Sequence, residues 1–132
     1  MSSLRYLSAE WISAMSAGVS ADSTLSTLAS QHTVGLTQVV TGTPFGDVTY
    51  HLQVRDGAVS FASGVAPFED VRFTETYETA VGIATEQINA QEAFIKGLIV
   101  FTGDHQKLID AGDVFAALNP IFTSVRESTV FN

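Results

Sequence analysis

The 132-residue sequence contains no cysteine, which excludes disulfide bonds and thiolate metal sites. Basic residues are also scarce, with 6 against 14 acidic residues and a formal net charge of −8. Phosphate binding needs clustered Lys and Arg, so we expect no nucleic-acid partner. Stability must come from apolar burial. A single domain over residues 1–132 is long enough to bury a sizeable core.

Long apolar runs are missing as well. No stretch approaches the roughly 18 apolar residues of a membrane-spanning helix, so we expect no integral membrane segment. Near the N-terminus, Ser8, Glu10 and Ser13 interrupt the apolar run that a signal peptide needs. Together with the absence of cysteine, these features predict a cytoplasmic protein.

The N-terminal pattern predicts two helices. Ser8 is a suitable N-cap for the first, Trp11 begins its apolar stripe, and Gly18 is expected to end it. Asp22 or Ser23 is the expected cap of a short second helix. We therefore place two helices before the first change of pattern.

The pattern then changes to strict alternation. Within residues 32–41, Val34, Leu36 and Val40 share one face, and residues 47–55 alternate apolar with polar side chains at every position, which indicates half-buried strands. Asp56-Gly57 is typical of a tight hairpin, because both central residues of a type I′ turn need positive φ. Residues 58–63 return as a third strand, so the first half reads as an antiparallel meander.

A loop, a strand and a helix begin the second half. Pro67 keeps residues 64–70 out of a sheet. Residues 71–76 then form a short strand with Val71 and Phe73 on one face, and Thr76 caps a helix.

The segment "NAQEAFIKGLIVFTGD" (residues 89–104) combines a helix, a turn and a strand. Asn89 is the expected N-cap, and Gly97 lies where the helix should stop. "LIVFT" is apolar on both sides, which predicts a strand covered on both faces. Asp104 caps a last helix, in which Pro120 predicts an end or kink near residues 117–119.

The predicted order is α-α-β-β-β-β-α-α-β-α. The fold class is α+β, with helices packed on one face of a mainly antiparallel sheet.

Most catalytic and metal motifs are absent from the sequence. His32, His51 and His105 show no HxH or HExxH spacing, so we expect no metal site. No GxSxG motif and no cysteine nucleophile is present, which argues against a hydrolase. We expect no cofactor and no enzymatic activity.

One enzyme hypothesis stays open: a ketosteroid-isomerase-like cavity, in which an Asp base works beside a Tyr and a protonated Asp. Tyr50, Tyr77, Asp70 and Asp104 are the candidates. Against it, Tyr50 belongs to the inward alternation of its strand, and Asp104 is suited to capping a helix.

Six phenylalanines occupy positions that we expect to face inward: Phe61, Phe73, Phe94, Phe101, Phe115 and Phe122. An ordinary packed core and an apolar cavity both account for them, because a cavity appears only where volume is left unfilled.

Residues 89–108 resemble the hallmark segment of the sterol carrier protein 2 (SCP2) family. In that family a helix reading roughly N-A-x-x-A-F-x-x-G leads into an apolar strand that ends in G-D. The matching positions are Asn89, Ala90, Ala93, Phe94, Gly97, Ile99, Gly103, Asp104 and Leu108. The order of elements agrees over nearly the whole chain.

The resemblance implies a five-stranded α+β domain with an apolar tunnel between sheet and helices. Family members bind sterols, fatty acids and acyl-CoA without chemistry, which implies a carrier of an apolar small molecule. Scarce basic residues weaken acyl-CoA as the ligand. The implied lipid-binding residues are Phe73, Val81, Phe94, Val100, Phe101, Leu108, Phe115, Leu118 and Phe122.

Two further expectations concern partners and the C-terminal segment, the first implied by the resemblance and the second by the sequence pattern. The family includes structural or regulatory modules with filled tunnels, so a module that assists a partner enzyme, or that forms a homodimer, is the main alternative. The C-terminal "TSVRESTVFN" is expected to be an arm or a frayed end.

Overall fold

The computed structural model describes residues 4–131, except for the side chain of Ala90. Within these residues the strands are β1 (Leu4–Arg5), β2 (Val34–Thr43), β3 (Gly46–Arg55), β4 (Ala58–Ser63), β5 (Val71–Thr76), β6 (Ile99–Gly103) and β7 (Thr129–Val130). The helices are α1 (Ala9–Ala21), α2 (Ser23–Ala29), α3 (Tyr77–Ala84), α4 (Ala90–Ile95), α5 (His105–Asp110) and α6 (Gly112–Arg126).

Five strands form the main sheet in the order β4-β3-β2-β5-β6. Only the β2–β5 pairing is parallel, and the other three are antiparallel. The predicted hairpin turn is confirmed, because Asp56 and Gly57 have φ values of 54° and 77°. The predicted class, a mainly antiparallel sheet with helices, is therefore confirmed.

Side-chain caps place the helix starts where the sequence predicted them. The backbone N–H groups of each first turn donate to the capping side chain at 2.9 to 3.2 Å. The caps are Ser8, Asp22, Thr76, Asn89 and Asp104.

The helices pack on one face of the sheet, which we call the inner face. Trp11 of α1 lies at its centre, with ring centroids 5.6 Å from Tyr50 on β3 and 6.1 Å from Phe61 on β4. Phe122 of α6 stacks on the same indole at 6.4 Å. Met15 is fully buried beneath them. This aromatic contact joins the first and last long helices to the sheet.

The opposite, outer face is covered too, which corrects the prediction of half-buried strands. His51 and Gln53 point away from the helices, yet they are 8% and 6% exposed. The loop of residues 64–70 lies over them: the Gly64 carbonyl is 3.0 Å from His51 Nδ1. Because the polar side chains of an alternating strand usually face solvent, the sequence predicted an exposed outer face. The loop of residues 64–70 covers these side chains instead.

The predicted end of α1 at Gly18 is wrong, since the helix continues to Ala21. A Cβ on Gly18 would come within 2.9 Å of Ile121 Cγ2 on α6. The glycine therefore permits close helix packing.

The last predicted helix is two helices, α5 and α6, separated at Ala111. The predicted end of the helix near residues 117–119 is wrong, because α6 passes through Pro120 to Arg126. The alternative, a kink at this point, stays a prediction. Proline removes one N–H donor to the carbonyl four residues earlier, at Ala116. Since Ala116 and Pro120 are both exposed, that carbonyl can turn to water instead.

Two short strands at the chain ends were absent from the predicted order. Leu4–Arg5 pairs in parallel with Thr129–Val130. Phe131 follows, and its ring lies 4.9 Å from that of Tyr6. The C-terminal segment is therefore neither a free arm nor a frayed end up to residue 131.

The prediction that "LIVFT" is covered on both faces is also wrong. Among the described strands β6 pairs only with β5, so it is an edge of the sheet. Val100 points to the outer side beyond the reach of the covering loop and is 55% exposed.

Candidate functional site

Two adjacent cavities lie between the inner face and the helices. The larger has a volume of about 550 Å³ and the smaller about 280 Å³. The larger volume falls within the roughly 300–1,000 Å³ that is usual for small-molecule sites. Tyr50, Asn119 and Phe122 contribute to both walls. Exposed Glu86 and Thr123 mark the mouth of the larger cavity, together with Asn119.

Strands β3 and β5 form the floor of the larger cavity, while α3, α6 and both chain ends form its sides. Its lining residues are Tyr6, Trp11, Tyr50, Glu75, Ala80, Ile83, Ala84, Glu86, Asn119, Phe122, Thr123, Arg126 and Phe131.

The smaller cavity lies over the middle of β2, β3 and β4, beneath α5 and α6. Its walls are mostly leucine and phenylalanine. The lining residues are Leu36, Gln38, Tyr50, Leu52, Phe61, Phe73, Leu108, Phe115, Leu118, Asn119 and Phe122. His51, between Tyr50 and Leu52, also borders the cavity, although its Nδ1 lies on the outer side, 3.0 Å from the Gly64 carbonyl.

Five of the nine predicted lipid-binding residues line these cavities: Phe73, Leu108, Phe115, Leu118 and Phe122. All five border the smaller cavity, and Phe122 borders both. Contact between any of them and a ligand stays a prediction.

The other four predicted residues do not line either cavity. Val81 is half-buried against the core. Phe101 lies beyond Phe73, with ring centroids 5.3 Å apart. Phe94 is 42% exposed and contacts Phe101 at the sheet edge. Val100 faces outward, because it alternates with Phe101 along β6. The helical and strand patterns identified apolar faces but not what covers them.

Glu75 is a cavity residue that the sequence analysis missed. It lies on the inner face of β5, where its Oε1 accepts a hydrogen bond from Gln38 Nε2 at 2.6 Å. Its Oε2 is buried and has no hydrogen-bond partner in the described part of the chain. Because Gln38 lines the smaller cavity and Glu75 the larger, this pair lies between them.

The surroundings of Glu75 are desolvated. Burial raises the pKa of Glu75 to about 7, and the hydrogen bond from Gln38 offsets part of this rise. Burial likewise raises the pKa of the Tyr50 hydroxyl well above its usual value, with smaller contributions from Tyr6 and Glu75. The pKa of Tyr6 is also raised, first by burial and then by Glu75. The tyrosines therefore stay protonated, while Glu75 titrates near neutral pH.

A sequence signal for Glu75 was present. Val71, Phe73 and Glu75 occupy alternate positions of one strand, so the inward face assigned to the first two continues to the carboxylate. The apolar pattern alone, which ends at Phe73, does not include this carboxylate.

The candidate residues of the isomerase hypothesis do not come together. Asp70 Oδ2 accepts a hydrogen bond from the Gly35 backbone N–H at 2.9 Å, and Asp104 caps α5. Neither aspartate lines a cavity, whereas Tyr50 does. The buried carboxyl near Tyr50 is that of Glu75.

Residues 4–131 provide neither a cluster of metal ligands nor a membrane-spanning helix. No group of three or more His, Cys, Asp or Glu residues is arranged to hold a metal ion in that range. None of the helices described is both long enough and apolar enough to span a bilayer.

Comparison with known proteins gives matches in structure but not in sequence. No family model and no curated protein sequence matches the chain. Sterol carrier protein 2 from Yarrowia lipolytica superposes with a TM-score of 0.62 at 13% identity, covering 87% of this chain and 88% of that one. The sterol carrier protein domain 2 of Helicoverpa armigera gives 0.57 at 17%, covering 89% and 87%. The fold is SCP2-like.

A third solved structure with the SCP2-like fold is the ubiquinone synthesis protein UbiJ-SCP2. Its TM-score is 0.55 at 16% identity, and the superposition covers 86% of this chain and 88% of that one. At these identities the likeness establishes the fold alone. The cavities and the Gln38–Glu75 pair are features of this chain.

Proposed function

We propose that this protein is a non-enzymatic carrier for an apolar small molecule, such as a sterol, a fatty acid or a similar lipid. The observation that carries the proposal is the pair of adjacent cavities between the inner face and the helices. In this proposal Phe73, Leu108, Phe115, Leu118 and Phe122 contact the ligand.

Apolar contact is the main source of affinity in this proposal. Each Å² of apolar ligand surface removed from water contributes roughly 25 cal/mol. Arg126 is the only lysine or arginine among the residues that line the two cavities, and it already donates to the Ala84 carbonyl and Glu86 Oε1, both at 3.1 Å. Apolar contact is non-directional, so by itself it discriminates little among the tails of different ligands. We assign the carrier to the cytoplasm, which the cysteine-free sequence allows.

Native mass spectrometry of the purified protein, followed by organic extraction and lipid identification, tests the proposal. We expect a co-purifying lipid near one per chain, or uptake of one molecule from a panel of fatty acids and sterols. Protein that stays empty under both conditions would contradict the carrier function.

A cavity-filling variant ties binding to the site. Ala84 lines the larger cavity and is half-buried, so Ala84→Phe should place a ring in the cavity and lower lipid occupancy several-fold. Ala17→Phe on the exposed side of α1 is the matched control and should bind as the wild type does. Equal loss in both variants would indicate that the effect is not local.

A second candidate function is a module that assists a partner enzyme or pairs with another copy of the chain. Residues 94–109 carry five of the eight exposed large hydrophobic side chains in the described range. They lie along the free edge strand β6 and its neighbours, and such apolar surface commonly marks an interaction site.

Sedimentation velocity of the wild type and of Val100→Lys tests the self-association form of this second candidate. We expect a wild-type dimer that the lysine disrupts by charging the sheet edge. A wild type that stays monomeric to high concentration would rule out the homodimer.

A further inference from the structure

We propose that Glu75 is an anchor for the hydroxyl head group of an apolar alcohol, either a sterol or a long-chain alcohol. This inference rests on the carrier function and names the ligand class of the same site.

The Glu75 carboxyl group is held in place by a hydrogen bond to one oxygen, while its other oxygen has no hydrogen-bond partner in the described residues. Gln38 Nε2 donates to Glu75 Oε1 at 2.6 Å, which holds one side of the group. Oε2 is buried without a hydrogen-bond partner in the described residues, and Glu75 borders the larger cavity. A buried acceptor without a donor costs about 1–3 kcal/mol. A ligand that supplies a donor at this point removes that cost.

The charges around Glu75 favour a neutral donor over a carboxylate. Glu86 at the mouth is ion-paired with Arg126 at 3.1 Å, so these two charges offset each other and Glu75 is left as the uncompensated acidic group of the lining. Arg126 lines the same cavity but is engaged by Glu86 and the Ala84 carbonyl. A fatty-acid carboxylate beside ionised Glu75 would meet repulsion or require a proton. A hydroxyl group can donate to the ionised form and can also pair with the protonated form.

The cavity geometry fits a polar head with an apolar tail. From Glu75 the walls pass over Tyr50 and Phe122, which border both cavities, to Leu118 and Phe115 around the smaller one. The head group lies at the Gln38–Glu75 pair, and the tail lies among the phenylalanines and leucines.

The test compares ligands that differ only at the head group. Displacement of the neutral dye Nile red is measured at pH 8 with 1-hexadecanol, hexadecyl methyl ether and palmitate. Ionised Glu75 can only accept hydrogen bonds, so the alcohol should bind about tenfold more tightly than the ether. Palmitate should also bind more weakly than the alcohol.

Glu75→Gln separates the anchor from the cavity. With Gln38 still donating to the amide oxygen, the amide NH₂ faces the ligand. The preference for the alcohol should then fall from about tenfold to between about one- and threefold in affinity. Palmitate should bind several-fold more tightly than to the wild type. Glu78→Gln makes the same change at an exposed position of α3 and should keep the wild-type ratio.

Two results would overturn the inference: equal binding of alcohol and ether by the wild type, or a ratio unchanged in Glu75→Gln. The first needs no variant, so the test survives a variant that fails to fold. If Nile red and all three ligands fail to bind, the carrier function itself fails. If all three ligands bind with equal affinity, the proposed anchor at Glu75 is contradicted and the carrier function is not.

Discussion

Two buried polar sites lie on opposite faces of the same sheet, and they differ in how well their hydrogen bonds are satisfied. On the outer face, Gln53 Nε2 donates to the Val34 carbonyl at 3.3 Å and its Oε1 accepts from the Phe68 N–H at 3.0 Å. On the inner face, Gln38 satisfies one oxygen of Glu75, while the other is buried without a partner in the described chain.

The difference separates a structural contact from the site of a proposed ligand contact. The outer site attaches a loop: Thr37 Oγ1 accepts from the Ala66 N–H at 3.0 Å, beside the contacts of Gln53. Every polar group named there has found a protein partner, as buried groups generally do. Glu75 borders a cavity and keeps one buried oxygen without a partner in the described chain, which costs stability. The proposed ligand anchor rests on this feature.

The largest effect is expected where the outer loop approaches the sheet most closely. A Cβ on Gly35 would overlap the Phe68 carbonyl oxygen and lie 2.7 Å from its carbon. Gly35→Ala should lower the free energy of unfolding by about 3 kcal/mol, because the backbone must move. Urea denaturation measures this. Gly112→Ala is the control, since its Cβ would meet nothing within 4 Å, and equal effects in both would contradict the packing argument.

On the inner face, Glu75→Gln should stabilise the protein, and more so as the pH rises. The pKa of Glu75 is raised to about 7 by burial, so the unfolded chain loses this proton at lower pH than the folded one. Wild-type stability therefore falls between about pH 4.5 and 7, by on the order of 3 kcal/mol in total. The glutamine side chain of Glu75→Gln does not titrate, so the variant does not lose stability over this pH range.

Urea titrations of both proteins from pH 5 to 8 measure the difference in free energy of unfolding. Tyr6 and Tyr50 stay neutral in this range, because burial raises the pKa of each. The same change at exposed Glu78 should show no such trend. If the difference in free energy of unfolding between Glu75→Gln and the wild type does not vary with pH, the pKa of Glu75 is not raised. That outcome would mean that water reaches the carboxyl group.

At Gln53 on the outer face, where the hydrogen bonds are satisfied, we expect a smaller effect that is destabilising, in contrast to Glu75→Gln. Gln53→Met keeps the side-chain length but leaves the Phe68 N–H and the Val34 carbonyl without partners. The expected loss is about 2 kcal/mol, with faster hydrogen exchange at the Phe68 amide. Gln31→Met at an exposed position should change stability by less than about 0.5 kcal/mol. An unchanged Phe68 exchange rate would show that the glutamine does not hold the loop.

Local patterns predicted much of the fold. Asn89 and Asp104 were assigned as caps because short polar side chains bond to free N–H groups within three residues. Asp56 and Gly57 were assigned to a turn because few residues accept positive φ. These interactions lie within a few residues of each other, so the sequence displays them directly.

The candidate site was predicted only in part for the same reason. Phe115, Leu118 and Phe122 belong to an apolar helical stripe, and the structure places them on cavity walls. Phe94 and Val100 belong to equally apolar patterns, yet both are exposed because none of the helices and strands within residues 4–131 covers that edge. Whether an apolar face meets a sheet, a cavity or solvent depends on neighbours distant in the chain.

By itself the sequence determined the α+β class, the meander and its hairpin, the helix caps and the apolar faces. Each depends on propensities and hydrogen bonds within about one turn of helix or one strand pair. Only the tertiary structure decided that residues 64–70 cover the outer face, that the chain ends pair, and that two cavities remain around Glu75. Those features depend on long-range contacts and on the volume left between packed elements, which no local pattern records.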